Sequence, residues 1–209
     1  MQIDVESLKE KSGRRLTPEA RRAQLLRCAV AAFASMGLER ATHAEVAKLA
    51  KVSVPTTFVY FPTREDLVAS VLGEVERFLE KVVGGSMNLD ASPQHRLTAL
   101  AQAFAHAADG PGHLIRVWLD WSTAVRADVW PSYVKVQERI VAQVTQAVTE
   151  HRAGKSSKPV LADQSAARMF VGSGHTVALM KLARAPEKEV DKLIAVVVAA
   201  TLAQCVRSI

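Results

Sequence analysis

The stretch from Thr42 to Leu67, THAEVAKLAKVSVPTTFVYFPTREDL, places the strongest constraint on how this 209-residue chain folds. It contains two short runs with helical spacing, separated by a break at Lys51 and Val52. Ser53, after the break, is a favourable N-cap residue. Pro62 ends the second run, because proline has no N–H to continue a helix. The pattern predicts two helices joined by a tight turn, the motif whose second helix enters the major groove of DNA.

The second helix of this pair has two faces. Val54, Phe58 and Phe61 recur three or four residues apart and are predicted to pack inward. Thr63 and Asp66 have the spacing of a capping box that begins the next helix. The opposite face is predicted to be exposed, with Pro55, Thr56, Val59 and Tyr60. From periodicity alone, an ordinary helical hairpin with no DNA contact is an equally good interpretation.

Two segments resemble a known family. Residues 52–68, VSVPTTFVYFPTREDLV, resemble the end of the helix-turn-helix in the TetR family of bacterial transcription regulators. Residues 117–134, VWLDWSTAVRADVWPSYV, are similar to the regulatory domain of its LuxR/HapR/SmcR subgroup of quorum-sensing master regulators. The resemblance implies a homodimer on a double-stranded, pseudo-palindromic operator. It implies DNA contacts from Arg14, Arg15, Thr42, His43, Ser53, Pro55, Thr56, Thr57, Val59, Tyr60 and Arg64.

Within that set, the resemblance implies different roles. Arg14 and Arg15 belong to a basic arm expected in the minor groove, which attracts arginine where it is narrow. Two positions depart from the family pattern. Lys51 stands where many members have glycine, and Val59 stands where the quorum-sensing subgroup has asparagine. Val59 cannot donate to or accept from a base edge, so the operator sequence does not follow from the resemblance.

Composition and charge predict a two-part helical protein. Aromatic residues make up 5% of the chain and β-type alternation is rare, so we expect an all-α fold. The net charge is +6, and residues 9–27 hold seven Lys or Arg against two Glu, which suits a phosphate-rich partner. We predict a basic arm at 1–16, a three-helix helix-turn-helix domain at 17–63, and a helical-bundle domain for ligand binding and dimerisation at 64–209.

Helix signals recur along the chain. Thr17 and Pro18 predict the start of the first helix. The fourth helix is predicted from Arg64 to about Val83, ending near Gly84 and Gly85. Further helices are predicted at 97–108, from about 114 to the turn at 128–131, at 131–151, at 163–185 and at 186–207. The last two are rich in apolar residues and are predicted to pack against a second copy of themselves.

The resemblance also implies a ligand cavity in the second domain. Its predicted wall comes from four helices and is almost entirely apolar: Leu79, Val82, Leu100, Phe104, Trp118, Tyr133, Gln137 and Val141. A small apolar effector is therefore expected, which would tilt the fourth helix and change the DNA affinity. For the aromatic residues of this region, simple core packing is an equally weighted interpretation.

Other classes of protein fit less well. The sequence contains no nucleophile elbow, phosphate-binding loop or zinc-protease motif, and its six histidines lack metal-ligand spacing, so we expect no enzyme, cofactor or metal. No signal peptide or membrane span is expected, and a cytoplasmic location follows. Two alternatives to a quorum-sensing regulator stay open: a local TetR-type repressor of an efflux or metabolic operon, and a helical interaction protein without DNA binding.

Overall fold

The computed structural model describes residues 16–109, 112–125, 127–154 and 157–203. Within these ranges the chain forms α-helices and no β-strand, so the prediction of an all-α fold is confirmed. The helices, in chain order, are α1 (Pro18–Met36), α2 (His43–Ala50), α3 (Val54–Tyr60), α4 (Arg64–Met87), α5 (Pro93–Ala107), α6 (His113–Thr123), α7 (Trp130–Ala153), α8 (Leu161–Leu182) and α9 (Glu187–Ala203).

The chain divides into two compact units, one ending at Gly73 and the other beginning at Glu74. The boundary between them lies inside α4, which is a continuous helix. The functional boundary predicted at residues 63 and 64 stays a prediction. The predicted basic arm, including Arg14 and Arg15, lies outside the described residues.

Side-chain caps begin α1 and α4, whereas Ser53 precedes α3 without a side-chain capping bond. Thr17 accepts a hydrogen bond from the Ala20 amide at 3.2 Å, with Pro18 in the first turn of α1. The Thr63 hydroxyl accepts from the Asp66 amide at 3.0 Å, and the Asp66 carboxylate accepts from the Thr63 amide at 3.2 Å. This reciprocal pair is the predicted capping box, and it begins α4.

The buried side chains of the first unit come from all four of its helical segments. They include Leu26 of α1 and Ala50 of α2, whereas Met36 is only half-buried. Fully or almost fully buried are Leu25, Ala29, Phe33, Val46, Ala47, Phe61, Leu67 and Val71. A core of this kind holds α2 and α3 in a fixed relation while their remaining faces stay at the surface.

The second unit is a bundle in which α7 packs on α8, α8 on α9, and α5 on α9. Its core is mostly aliphatic with a few aromatic side chains, and among the described residues it holds one buried carboxylate, Asp163. Thr149 donates to Asp163 at 2.9 Å, and the Arg152 guanidinium donates to both carboxylate oxygens. The Val160 amide adds a further bond at 3.0 Å, so the charge is paired and hydrogen-bonded at the start of α8.

Several predicted helix limits were wrong. α4 continues through Gly84 and Gly85 to Met87, because neither glycine leaves the helical conformation. α5 begins earlier than predicted, at Pro93, since Ser92 caps it. α8 ends at Leu182, before a turn in which Arg184 has a φ of 58°. No helix within the described ranges is long and apolar enough to cross a membrane.

Candidate nucleic-acid interface

The turn between α2 and α3 is closed by backbone hydrogen bonds. Lys51 adopts the left-handed conformation, with φ 55° and ψ 46°. The Val52 amide donates to the Ala47 carbonyl at 3.0 Å, and the Lys51 amide donates to Lys48 at 3.3 Å. A left-handed residue and a bond reaching back five residues are typical of a helix C-terminus that usually carries glycine. The predicted tight turn is therefore present, and the unusual Lys51 occupies its left-handed position.

The buried face of α3 differs from the prediction. Phe61 is fully buried as expected, but Val54 and Phe58 are 38% and 46% exposed. Thr57, predicted among the exposed DNA-contacting residues, is fully buried, and its hydroxyl donates to the Val54 carbonyl at 2.7 Å. Because that bond satisfies the hydroxyl, threonine can occupy the interior and the larger Phe58 side chain remains near the surface. The inward placement of Val54 and Phe58 and the outward placement of Thr57 were wrong.

The outer face of α3 matches the prediction in exposure. Pro55 is exposed, Val59 is 76% exposed, and Thr56 and Tyr60 are half-buried. Ser53, just before the helix, is exposed, and its hydroxyl lies 2.8 Å from that of Thr56. The helix thus presents an apolar side chain beside hydroxyl groups, which suits contact with both base edges and phosphates. That these residues contact DNA stays a prediction.

His43 has a structural position that the sequence did not reveal. Its side chain is 7% exposed, and its Nε2 lies 2.8 Å from the Phe61 carbonyl. The imidazole also stacks on Phe58, with ring centroids 4.0 Å apart. The His43 side chain therefore makes contacts within the domain that join the start of α2 to the end of α3. That His43 contacts DNA stays a prediction. Thr42, which caps α2 through the Glu45 amide, remains exposed.

The Arg64 side chain also makes hydrogen bonds within the protein. Its guanidinium donates to the carbonyls of Leu38 and Glu39 at 2.6 Å and of Ala41 at 2.5 Å. These carbonyls belong to the connection between α1 and α2, which has no helical hydrogen bonds of its own to satisfy them. The guanidinium therefore holds this connection against the start of α4. The phosphate contact from Arg64 stays a prediction.

Three other basic side chains of the first unit, Lys48, Lys51 and Arg22, are exposed and are candidates for phosphate contacts. Lys48 and Lys51 are exposed, in the last turn of α2 and in the turn that follows. Sequence reasoning did not assign them to the interface, although Lys48 lies outside the buried Val46–Ala47–Ala50 face by helical phase. Arg22, on α1, lies over the Phe61 ring at 5.3 Å and close to Ser70. The described part of the candidate interface thus carries basic side chains at Arg22, Lys48 and Lys51 and an apolar side chain at Val59.

The predicted ligand-site residues lie in the second unit as parts of its packed interior. Leu79, Leu100, Trp118, Tyr133 and Val141 are buried, whereas Val82, Phe104 and Gln137 are half-buried. Trp118 meets Phe104 edge-to-face, with centroids 5.0 Å apart. Tyr133 instead stacks on Trp130 at 5.0 Å and meets Trp121 at 5.7 Å. The structure therefore joins Trp118 to Phe104 and places Tyr133 in a second aromatic group.

Two residues beside Trp118 were missed by sequence reasoning. The His175 ring lies 4.2 Å from the Trp118 ring, and burial lowers the pKa of His175 although a backbone hydrogen bond at Gly172 opposes this. Gly174 leaves the Phe104 and Trp118 rings room to approach α8, since a Cβ there would lie 3.6 Å from Phe104. No spacing rule points to either residue, because the contact depends on how α5, α6 and α8 pack.

A small cavity of about 40 Å³ lies elsewhere in the second unit, lined by Leu79, Glu80, Val83, Val136, Arg139, Ile140 and Gln143. It shares only Leu79 with the predicted site and is far smaller than the ~300–1,000 Å³ of typical ligand sites. Among the described residues, no group of three or more His, Cys, Asp or Glu side chains could hold a metal ion.

The first unit contains the segment that matches a known protein family. Residues 25–71 match the family model for bacterial regulatory proteins of the tetR family. A curated relative, the HTH-type transcriptional regulator LuxR of Vibrio harveyi, is 36% identical over 130 residues. That match covers 62% of this chain and 63% of the relative, so the chain matches less than two thirds of that protein. Both describe transcriptional regulators, a class that is not enzymatic.

Solved structures agree on the fold. A TetR-like transcriptional regulator from a Rhodococcus species superposes with a TM-score of 0.74 at 19% identity, covering 90% of this chain and 99% of that one. A TetR-family regulator from Streptomyces coelicolor has a TM-score of 0.74 at 16% identity, covering 91% and 92%. The chain therefore carries a TetR-family N-terminal domain at residues 25–71 on an all-helical, TetR-like fold.

Proposed function

We propose that this protein is a DNA-binding transcriptional regulator that binds a pseudo-palindromic operator as a homodimer. The single observation that carries the proposal is the outer face of α3, supported by the family match over residues 25–71. A short helix after a tight turn presents Pro55, Thr56, Val59 and Tyr60 to solvent. Lys48 and Lys51 lie next to it in sequence and supply positive charge for phosphates.

The exposed surface of α8 and α9 supports a dimer. Met169 and Leu179 on α8 are 53% and 58% exposed, and Val196 on α9 is 57% exposed. On α8 a methyl group added at Gly172 would meet no atom within 4 Å apart from its chain neighbours and the backbone of its own helix. Large exposed apolar side chains on neighbouring helices mark contact surfaces, and a second copy of the same pair would cover them.

A small apolar effector is the proposed regulator of this activity, and the space around Trp118 is its proposed site. The rings of Phe104 and His175 contact Trp118 there, and burial lowers the pKa of His175. α4 is one helix that begins in the first unit and ends in the second, so it is the proposed route by which effector binding changes DNA affinity. The LuxR relative makes quorum sensing the proposed setting, in the cytoplasm where the DNA is.

Selection of bound duplexes from a random DNA pool tests the DNA-binding proposal. The purified protein should enrich an imperfect palindrome whose half-site centres are about one helical turn, ~34–36 Å, apart. Single-stranded DNA and double-stranded RNA of the same length should compete poorly. Enrichment of no sequence, together with equal competition by all three nucleic acids, would refute sequence-specific binding and leave only a general affinity for polyanions.

Sedimentation of two charge-introducing variants tests the dimer. Val196→Glu places a carboxylate in the proposed interface and should give monomers at micromolar concentration, because an unpaired charge there would be desolvated. Val125→Glu is the matched control, since Val125 is equally exposed at 58% and lies outside α8 and α9. A wild-type monomer, or two variants with the same association state, would refute the assignment.

A further inference from the structure

Val59 lies largely in solvent on α3. Its side chain is 76% exposed, more than any other large apolar side chain of α3. Valine is also a weaker helix former than lysine, glutamate or alanine, because the preceding turn restricts its rotamers. Neither core packing nor the helix itself therefore favours valine here, and the side chain is available to a partner.

Its neighbours place it on the face proposed to meet DNA. Pro55 and Thr56 precede Val59 by four and three residues, so all three lie on one side of the helix. The Ser53 and Thr56 hydroxyls are 2.8 Å apart and can still reach phosphate oxygens. The isopropyl group of Val59 has no donor or acceptor, so it cannot read a base through hydrogen bonds.

One base offers an apolar group in the major groove. Thymine carries a C5 methyl there, whereas guanine, adenine and cytosine present hydrogen-bonding groups. We propose that Val59 is a specificity-determining residue that contacts the C5 methyl of one thymine in each operator half-site. This inference rests on the proposed function, because it requires α3 to enter the major groove.

DNA suits this surface better than an apolar protein partner does. Lys48 and Lys51 are both exposed within the eleven residues that precede Val59, and they favour a polyanion. The family match covers the same segment, residues 25–71. A protein-docking surface would be expected to carry a larger continuous apolar area, whereas Thr42, Ser53 and Thr63 are exposed polar residues around this helix.

Replacing thymine by uracil in the DNA is the direct test, because it removes only the C5 methyl and keeps base pairing. Each dT of the operator selected from the random pool is replaced by dU in turn. At one symmetry-related pair of positions we expect about a fourfold loss of affinity per replacement and roughly 16-fold for both, the factor associated with one buried methylene-sized group. The other positions should tolerate uracil.

Two truncation variants connect the methyl effect to Val59. Val59→Ala should bind the dT and dU operators with nearly equal affinity, close to that of the wild type for dU. Leu49→Ala is the matched control, since Leu49 is 51% exposed on α2 and the same kind of truncation should preserve the preference for dT. Alanine favours helix at both exposed positions, so both variants should fold, which circular dichroism melts would check.

The outcomes separate this inference from the proposed function. An operator that contains no thymine, or one bound equally well after every dT→dU replacement, would overturn the role of Val59 while DNA binding stands. Val59→Ala that keeps the full preference for dT, or that loses affinity equally for dT and dU, would also overturn it. Failure to enrich any duplex would instead refute the proposed function itself.

Discussion

The imidazole of His43 lies 2.8 Å from the carbonyl oxygen of Phe61 and joins the beginning of α2 to the end of α3. A carbonyl can only accept, so His43 must donate from Nε2. Phe58 covers the other side of the ring, with centroids 4.0 Å apart and nearly parallel. The contact explains why a residue beside an exposed recognition face is itself buried.

His43→Ala should destabilise the first unit by about 1–3 kcal/mol, because it leaves the Phe61 carbonyl without its donor. Denaturant unfolding followed by far-ultraviolet circular dichroism measures the change. His95→Ala is the control, since His95 is exposed near the start of α5 and its removal should change stability little. Equal stabilities of the two variants would show that the His43 contact contributes nothing.

Lys51→Gly should stabilise the protein by about 1 kcal/mol, since glycine adopts the left-handed conformation without the steric cost that lysine bears at φ 55°. A lysine-to-glycine change three residues earlier should instead lower the stability of the protein. Lys48→Gly lies within α2 and should cost ~0.5–1 kcal/mol. Thermal melts of the pair test this, and a loss of stability in both variants would contradict the strain assigned to Lys51.

The region around His43 and Lys51 shows which features the sequence predicts and which it does not. The break between α2 and α3 at Lys51 and Val52 and the capping box of Thr63 and Asp66 follow from local signals, whose effects act within four residues. The rotation of α3 does not follow from them. Thr57 is buried because its hydroxyl bonds locally to Val54, and Phe58 is exposed because His43 offers its ring a surface. The first contact is a bond within α3 that the apolar spacing does not report, and the second depends on packing between α2 and α3.

The sequence predicts only part of the candidate site, because some of its contacts join segments that are far apart in the chain. Exposure at Pro55 and Val59 follows from helical phase, whereas the hydrogen-bond partners of the Arg64 guanidinium lie in a connection more than twenty residues earlier. The three carbonyls at Leu38, Glu39 and Ala41 that bind its guanidinium have no sequence signal. In the second unit, His175 meets Trp118 only through the packing of α6 and α8.

Acid should destabilise the second unit through Asp163. Burial acts to raise the pKa of Asp163, but hydrogen bonds from Arg152, Val160 and Thr149 outweigh it, so the pKa is lowered. A carboxylate with a lowered folded pKa stabilises the fold above its unfolded value of ~3.9 and loses that contribution as the pH falls through the folded pKa. Unfolding titrations from pH 7 to pH 2 should show this loss in the wild type.

Asp163→Asn isolates that effect. The variant should be less stable than the wild type at pH 7, because the Arg152 charge loses its partner, and the two stabilities should converge in strong acid. Glu138→Gln is the control, since Glu138 pairs with Arg168 at the surface, where ion pairs contribute little. A constant stability difference between wild type and Asp163→Asn across this pH range would contradict the assignment.

Gly174→Ala should raise the stability of the protein and weaken its response to an effector. Its methyl group would lie 3.6 Å from Phe104 and 4.0 Å from Trp118, an ordinary contact distance, and alanine should stabilise α8 by up to ~1 kcal/mol. If an effector binds beside Trp118, the same methyl group should weaken its effect on operator affinity. Gly85→Ala, which meets no atom within 4 Å, should stabilise α4 and leave the effector response intact. An unchanged response in Gly174→Ala would place the effector elsewhere.

The salt dependence of operator affinity tests the central claim, that the surface formed by α2 and α3 holds duplex DNA. Wild-type affinity should fall steeply with salt concentration, since each phosphate contact contributes about −0.9 to the slope of log affinity against log salt. Lys48→Ala should reduce the steepness by about one unit per protomer. Lys135→Ala, which removes an exposed lysine from α7 in the second unit, should leave the slope unchanged. Equal slopes for Lys48→Ala and the wild type, with a reduced slope for Lys135→Ala, would contradict this account.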